Sequence, residues 1–265
     1  MQTFDYEALQ IKGSTSQKVN ESLVVEAGLQ ININEEPYTV VMRTPGNDFE
    51  LIRGLLYAED IYKNTQELPL EPVETKENGF CIVNASISKK KLGKGYLNKR
   101  TLLSVSSCGI CGKQKLEDIQ LIGDSLSTSV SITTKDLEQL FQLMQKKQLV
   151  FQKTGGSHAA SIFDSNKNLL VVREDIGRHN AVDKAIGSLL NQQQLYKAAI
   201  LLVSGRVSYE IISKAFIAKI PIIAAVSACS SLAVDFAKEF GIQLIGFSRE
   251  DNATIYANSN TTLKK

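Results

Sequence analysis

AAILLVSGRVSYEIISKAFIAKIPIIAAVSACSSLAVDFAKEFGIQLIGFSRE, residues 198–250, decides the fold class. Three apolar runs, 198–203, 222–226 and 242–246, are bounded by Gly, Ser or Pro and have strand length. Between them, 209–218 and 232–240 carry apolar residues at helical spacing. This alternation predicts βα units and a mostly parallel sheet covered by helices. Upstream, 178–190 reads as a helix, and 159–163 and 168–172 as strands joined by a hairpin turn at Asp164-Ser-Asn-Lys. TTKDLEQLFQLMQKKQL, from Thr133, has apolar residues at 137, 140, 141 and 144, with Thr133 and Asp136 placed as a capping pair.

The order α-β-β-α-β-α-β-α-β resembles the cytidine-deaminase-like layout, a three-layer α/β arrangement. The chain before it is β-rich. Residues 21–33 and 38–43 alternate as strands around Glu35-Glu36-Pro37, and a helix follows Asn47 through Phe49, Leu51, Ile52, Leu55 and Leu56. Strands are expected at 80–88 and 96–105. SVSSCGICGKQK, 104–115, lacks bulky side chains and reads as a mobile loop. The expected domains are therefore 1–130, β-rich and ending in the CxxC loop region, and 131–265, α/β.

The chain has 265 residues, 43% hydrophobic and 22% charged, which places it among ordinary globular proteins. Its 30 Lys+Arg against 28 Asp+Glu give +2, which argues against a nucleic-acid coat. No signal peptide and no membrane span is legible, so a cytoplasmic protein is expected. Four Cys do not make a disulfide scaffold, and in reducing surroundings a close Cys pair points to redox, sulfur or metal chemistry.

Loops at strand ends gather along one sheet edge. Here they are Glu174–Arg178, Ser204–Ser208, Ser227–Ser230 and Phe247–Asp251. Their Gly, Ser and Arg content suits an anionic ligand held by backbone N–H groups and guanidinium forks. Bland helix-start chemistry would also place Ser and Gly there.

Cys108-Gly109-Ile110-Cys111-Gly112 is the sharpest chemical feature. Two thiols three residues apart can form a disulfide, share a metal or pass a sulfane sulfur, and the thiolate is the reactive form in each case. From Ser86 to Lys115 eight Lys and Arg meet no Asp or Glu, a formal +8 that favours thiolates. A structural zinc site would lack a second pair, since Cys81 and Cys229 are isolated. A thioredoxin-type pair would open a helix after a strand. Zinc deamination needs H-x-E at one helix start and P-C-x-x-C at the next. The corresponding starts read Arg178-His179-Asn180 and Ser204-Gly205-Arg206, so the residues argue against that chemistry. His158, in TGGSHAA, could donate to a ligand or a thiolate. Glu174/Arg178 and His179/Asp183 are read as i,i+4 pairs, with Asp183 orienting the His179 ring. Each could equally be structural.

Five blocks, SSCGICGK (106–113), TGGSHAA (154–160), REDIGRHNAVDKAIG (173–187), SGRVSYE (204–210) and FSREDNATIY (247–256), resemble the formate dehydrogenase accessory sulfurtransferases, the FdhD family. The resemblance implies a homodimeric sulfurtransferase that takes sulfur from a cysteine desulfurase as a persulfide. It would deliver that sulfur to the molybdenum or tungsten centre of a bis-guanylyl molybdopterin cofactor, bound as substrate, for formate dehydrogenase. Cys108 matches the persulfide-bearing residue and Cys111 assists. Phe247, Ser248, Arg249, Glu250, Asp251 and Asn252 match the cofactor-binding segment. The residues themselves add Gly205, Arg206, Arg178, His179 and His158 as candidate ligand contacts, with GDP as a mimic of the nucleotide end. No zinc, nucleic acid or membrane is expected. A cofactor-binding chaperone that moves no sulfur is the alternative.

Overall fold

The computed structural model describes residues 1–97, 123–250 and 252–257. Strands β1 (Thr3–Lys12) and β2 (Thr15–Val24) form a separate hairpin, paired without a break from Thr3↔Val24 to Lys12↔Thr15. Gly13 at φ 60 turns the chain between them, a conformation that costs glycine nothing. The single strand expected over 21–33 is thus divided, and β3 begins afresh at Ala27 (Ala27–Ile33).

Next come β4 (Glu36–Arg43), α1 (Asp48–Ala58), β5 (Leu70–Thr75) and β6 (Cys81–Ala85). These build a four-stranded sheet in the order β4-β3-β6-β5. The β3–β4 turn falls at Asn34 and Glu35, both at positive φ, one residue earlier than the Glu-Glu-Pro reading. Two left-handed residues in a row match the strand twist of a tight hairpin. Leu51, Ile52, Leu55 and Leu56 of α1 pack onto Leu29, Ile31 and Val83 in one apolar cluster. Asn47 does precede α1, but at φ 56 and with no side-chain cap bond.

The strand expected from Tyr96 is replaced, over Lys94–Leu97, by a 3-10 turn. Gly93 and Gly95 donate to the Ile61 and Asp60 carbonyls and curl the chain around the end of α1. The rest of that expected strand and the 104–115 loop lie outside the described residues.

The second sheet has six strands in the order β12-β11-β10-β9-β7-β8. They are β7 (His158–Phe163), β8 (Leu169–Asp175), β9 (Ile200–Val203), β10 (Ile222–Ala225), β11 (Gln243–Arg249) and β12 (Asn252–Ala257). Helices α2 (Thr134–Lys146) and α3 (Leu149–Thr154) precede it, and α4 (Arg178–Asn191), α5 (Tyr209–Ile217) and α6 (Ser231–Glu239) connect it. The α/β class and most element positions follow the sequence pattern, but the pairing is mixed. β9–β10 and β10–β11 are parallel, whereas β7–β8, β7–β9 and β11–β12 are antiparallel. The short β7–β8 and β11–β12 connections force this, since only antiparallel strands can be joined by a tight turn. β8, β9, β10 and β11 still run in one direction, so their carboxyl ends share an edge.

α2 covers one face, its Leu137, Leu140 and Met144 packed with Phe163, Ile200 and Leu202. Its start carries the expected capping box between Thr133 and Asp136. α4, α5 and α6 cover the other face through Ala181, Ile186, Ile211 and Ala233. α1 lies against α4 with glycine at the crossing. A Cβ on Gly187 would stand 1.8 Å from the Glu50 carbonyl oxygen, so only glycine permits this approach.

Candidate functional site

The loop into α4 is held by one buried carboxylate. Asp175 accepts from the Thr44 N–H at 3.1 Å, the Gly177 N–H at 2.8 Å and Asn180 Nδ2 at 2.9 Å, and pairs with Lys184 at 2.7 Å. Lys184 also donates to the Thr44 carbonyl at 2.8 Å. A buried pair is stabilising only when its remaining hydrogen-bond capacity is used, and here it is. The segment after β4 and the ligand-side loop before α4 are therefore fixed to each other.

Glu174 accepts from the Val150 and Phe151 N–H groups at 2.9 and 2.8 Å and from Ser157 Oγ at 2.8 Å. The expected Glu174/Arg178 pair is not the one formed. Glu174 sits on β8 and Arg178 opens α4, so the two do not share a helix face. His179 and Asp183 do share α4, yet the His179 ring faces Ser208 and Glu210, and Lys214 takes both Asp183 oxygens at 2.8 Å.

A cavity of about 620 Å³ opens where the strand ends meet α2 and α3. Gly155, Gly156, Ser157 and His158 line one side, and Ser204, Val226, Ser248, Arg249 and Glu250 another. The TGGSH and FSRE segments, far apart in the chain, thus face a common space. Beside it, a Cβ on Gly205 would come 3.2 Å from His158 Nδ1 and 3.5 Å from Arg178 Cβ. Burial, together with Arg178 and Arg206, holds the His158 imidazole below its ordinary pKa, against the opposing pull of Asp175.

Phe247 and Glu250 have φ of 48 and 51, and the β11–β12 pairing shifts register between Gly246 and Arg249. Left-handed non-glycine residues of this kind cost about 1–3 kcal/mol each and gather at ligand sites. Here they bring Arg249 and Glu250 to the cavity, with Arg249 Nε donating to the Val226 carbonyl at 3.2 Å. Arg178 Nε and Ser248 Oγ are buried with no hydrogen-bond partner among the described residues. Ser248 belongs to the cavity wall, whereas Arg178 does not line it.

Asn252 starts β12 and is exposed. Asp251, Cys108 and Cys111 lie outside the described residues. The residues on either side of the Cys segment are placed. A Cβ on Gly95 would meet the Glu59 carbonyl oxygen at 1.7 Å, and one on Gly123 the Phe216 ring at 2.9 Å. Those contacts belong to the ends of α1 and α5, which touch through the Tyr57 hydroxyl and the Ile217 carbonyl at 3.3 Å. Gly95 and Gly123, on the described chain to either side, thus both lie against this pair of helices.

Sequence reading missed the α2 wall of the cavity, which includes Phe141, Gln142 and Gln145. A glutamine-rich helix face looks like solvent surface, and nothing local marks it as a lining. Among the described residues no group of three His, Cys, Asp or Glu is placed to hold a metal ion, and no helix is long and apolar enough to cross a membrane.

A mixed sheet with helices on both faces and a strand-end cavity lined in part by Arg249 defines an α/β protein with a candidate ligand site. The chain belongs to the FdhD/NarQ family, whose model matches residues 24–263. It is similar to the sulfur carrier protein FdhD of Mycolicibacterium paratuberculosis, 41% identical over 249 residues and 91% of each chain. It is also similar to the protein of that name from Sulfolobus acidocaldarius, 39% identical over 237 residues and 89% of each chain. The fold matches the crystal structure of a candidate formate dehydrogenase accessory protein from Desulfotalea psychrophila, with TM-score 0.75 and 21% identity over 98% of this chain and 99% of that one.

Proposed function

We propose that this protein is a cytoplasmic, homodimeric sulfurtransferase that loads sulfur onto a molybdenum cofactor carrying guanine dinucleotides, for use by formate dehydrogenase. The observation that carries the reading is the cavity that the TGGSH and FSRE segments share, with Ser248 and Arg249 on its wall. Family membership and relatives named sulfur carriers support the sulfur chemistry.

In this reading the Cys108 thiolate attacks the outer sulfur of a cysteine desulfurase persulfide. A new sulfur–sulfur bond forms on Cys108, and the donor leaves as its own thiolate. The cationic stretch around the pair favours the thiolate and an acidic donor surface. The nucleotide pyrophosphate lies against Arg178, Arg206 and Ser248, Glu250 or Asp251 accepts from guanine, and GDP occupies the same place. The persulfide then presents its terminal sulfur to the metal: the Cys111 thiolate attacks the Cys108 sulfur, the sulfur–sulfur bond of the persulfide breaks, a Cys108–Cys111 disulfide forms, and the terminal sulfur leaves as sulfide.

The test is mass spectrometry after incubation with a desulfurase and cysteine. The expected product is heavier by one sulfur atom on Cys108 or Cys111, and the gain is lost on reduction. A chain that never gains sulfur would leave the cofactor-binding chaperone as the better account.

A further inference from the structure

The His179 ring is not among the cavity-lining residues and is committed elsewhere. Nε2 stands 3.0 Å from Ser208 Oγ, and Nδ1 stands 3.2 Å from Glu210 Oε2. Nucleophile, base and orienting carboxylate in this sequence of contacts make the constellation that activates a serine hydroxyl. We propose that Ser208, His179 and Glu210 form a second reactive centre, directed at acyl esters and chemically distinct from the cysteine pair.

Three observations support it. Ser208 stands at the N-cap of α5 in the usual extended conformation, yet its side chain makes no cap bond. Ser230 and Thr133, in the same position on α6 and α2, both cap. The Ser208 hydroxyl has been turned from the ordinary task of its position toward His179. Exposure is also graded: the His179 and Glu210 side chains are 4% and 13% exposed, while Ser208 is half-buried at the edge. Finally, Lys214 lies 3.8 Å from Glu210 Oε1 and bridges to Asp183. Burial opposes charge on Lys214, but Asp183, Glu210 and Glu59 outweigh it and keep the ammonium in place. That cation places a positive charge beside the Glu210 carboxylate.

Glu210 Oε2 lies off the ring N–H axis and makes no linear hydrogen bond. Catalytic contacts are often misaligned before substrate binds and tighten with it. In the step proposed, Ser208 Oγ bonds to the acyl carbon and its proton passes to His179 Nε2. The developing oxyanion meets the N–H groups at the very start of α5, ahead of Ile211, which already donates to the Ser208 carbonyl at 3.1 Å. The carbon–oxygen bond to the alcohol breaks, and the alcohol takes the proton from Nε2. Water, activated by the same base, then releases the acid and restores Ser208. The centre occupies the paired helix starts where a deaminase would hold zinc, with a base-activated hydroxyl instead of metal-activated water.

The full chain is to be treated with a fluorophosphonate, which bonds covalently to activated serines, and assayed with a nitrophenyl ester. One adduct on the Ser208 peptide is expected, with ester turnover rising with pH as the imidazole loses its proton. Ser208→Ala should abolish both, and Glu210→Gln should slow labelling about 100-fold or more. Ser208→Cys keeps the contact to His179 and should move labelling from the fluorophosphonate to a thiol alkylator. It therefore decides the matter even if another variant folds poorly. A wild-type chain with no adduct, or an adduct that survives Ser208→Ala, overturns the proposal. Persulfide formation by the Ser208→Ala chain reports on the sulfur-carrier reading separately.

Discussion

Gly54 on α1 backs directly onto the main chain of Asp183 on α4, so closely that a Cβ would stand 1.9 Å from the carbonyl oxygen. The contact is backbone to backbone, and no side chain can rotate away to make room. Gly54→Ala is expected to force the helices apart and cost about 1–3 kcal/mol, the range for overpacking a tight core. Thermal melts check it, and an unchanged midpoint would mean that the crossing yields easily.

Lys214 bonds both oxygens of the Asp183 carboxylate, and burial pushes that carboxyl up to about 7 even in its presence. Lys214→Met leaves Asp183 without its partner and is expected to cost about 3–5 kcal/mol near neutral pH. The sign with pH follows from linkage. The folded Asp183 holds its proton to higher pH than the unfolded one, which ionises at about 3.9. In the parent the folded carboxyl ionises only at about 7, so the loss should be smallest well below pH 7, where Asp183 is protonated with or without Lys214, and grow as pH rises through about 7 and beyond. Denaturant melts across that window measure it, and a pH-independent loss would contradict the account.

Arg249 faces the cavity between two left-handed residues. Arg249→Ala is expected to weaken GDP binding by about 10-fold or more, the worth of one charge-assisted hydrogen bond. Sulfur loading of the Cys pair should be unaffected. Equal GDP affinity in variant and parent would place the nucleotide elsewhere.

His158 is held below its ordinary titration range by burial, Arg178 and Arg206. A bound pyrophosphate would offset the arginines and raise that pKa, so binding should take up a proton and strengthen as pH falls below about 6.5. Calorimetry in buffers of different ionisation enthalpy reads the uptake. His158→Gln should remove this part of it and leave only that of the phosphate itself. Identical uptake in the two chains would exclude His158 from the site.

The elements that sequence made legible are those with local signatures. The Thr133/Asp136 capping box and the start of α4 after Gly177 stand where residue pattern puts them. The β1–β2 hairpin was opaque because both of its faces are largely exposed, so no alternation of burial marks it. Contacts at long range were opaque for a different reason. Asp183 is the nearest acid to His179 along its helix, but the ring meets Glu210, 31 positions away and on another helix. Only packing α4 beside α5 creates that pair. The cavity was half legible: its loops carry Gly, Ser and Arg, whereas its α2 wall carries residues that any exposed helix could have.

The anchoring of Asp175 by Thr44 bears on how this protein can be handled and inherited. A fragment beginning at 131 would carry Asp175 and Lys184 but not the Thr44 backbone that bonds to both, and the groove on its α4 would lose the α1 helix that fills it. Expressed alone, that half would present a charged, unsealed helix face to solvent. Co-expression of the two halves as separate chains should restore it, because the seam supplies its own hydrogen bonds and needs no covalent link to form.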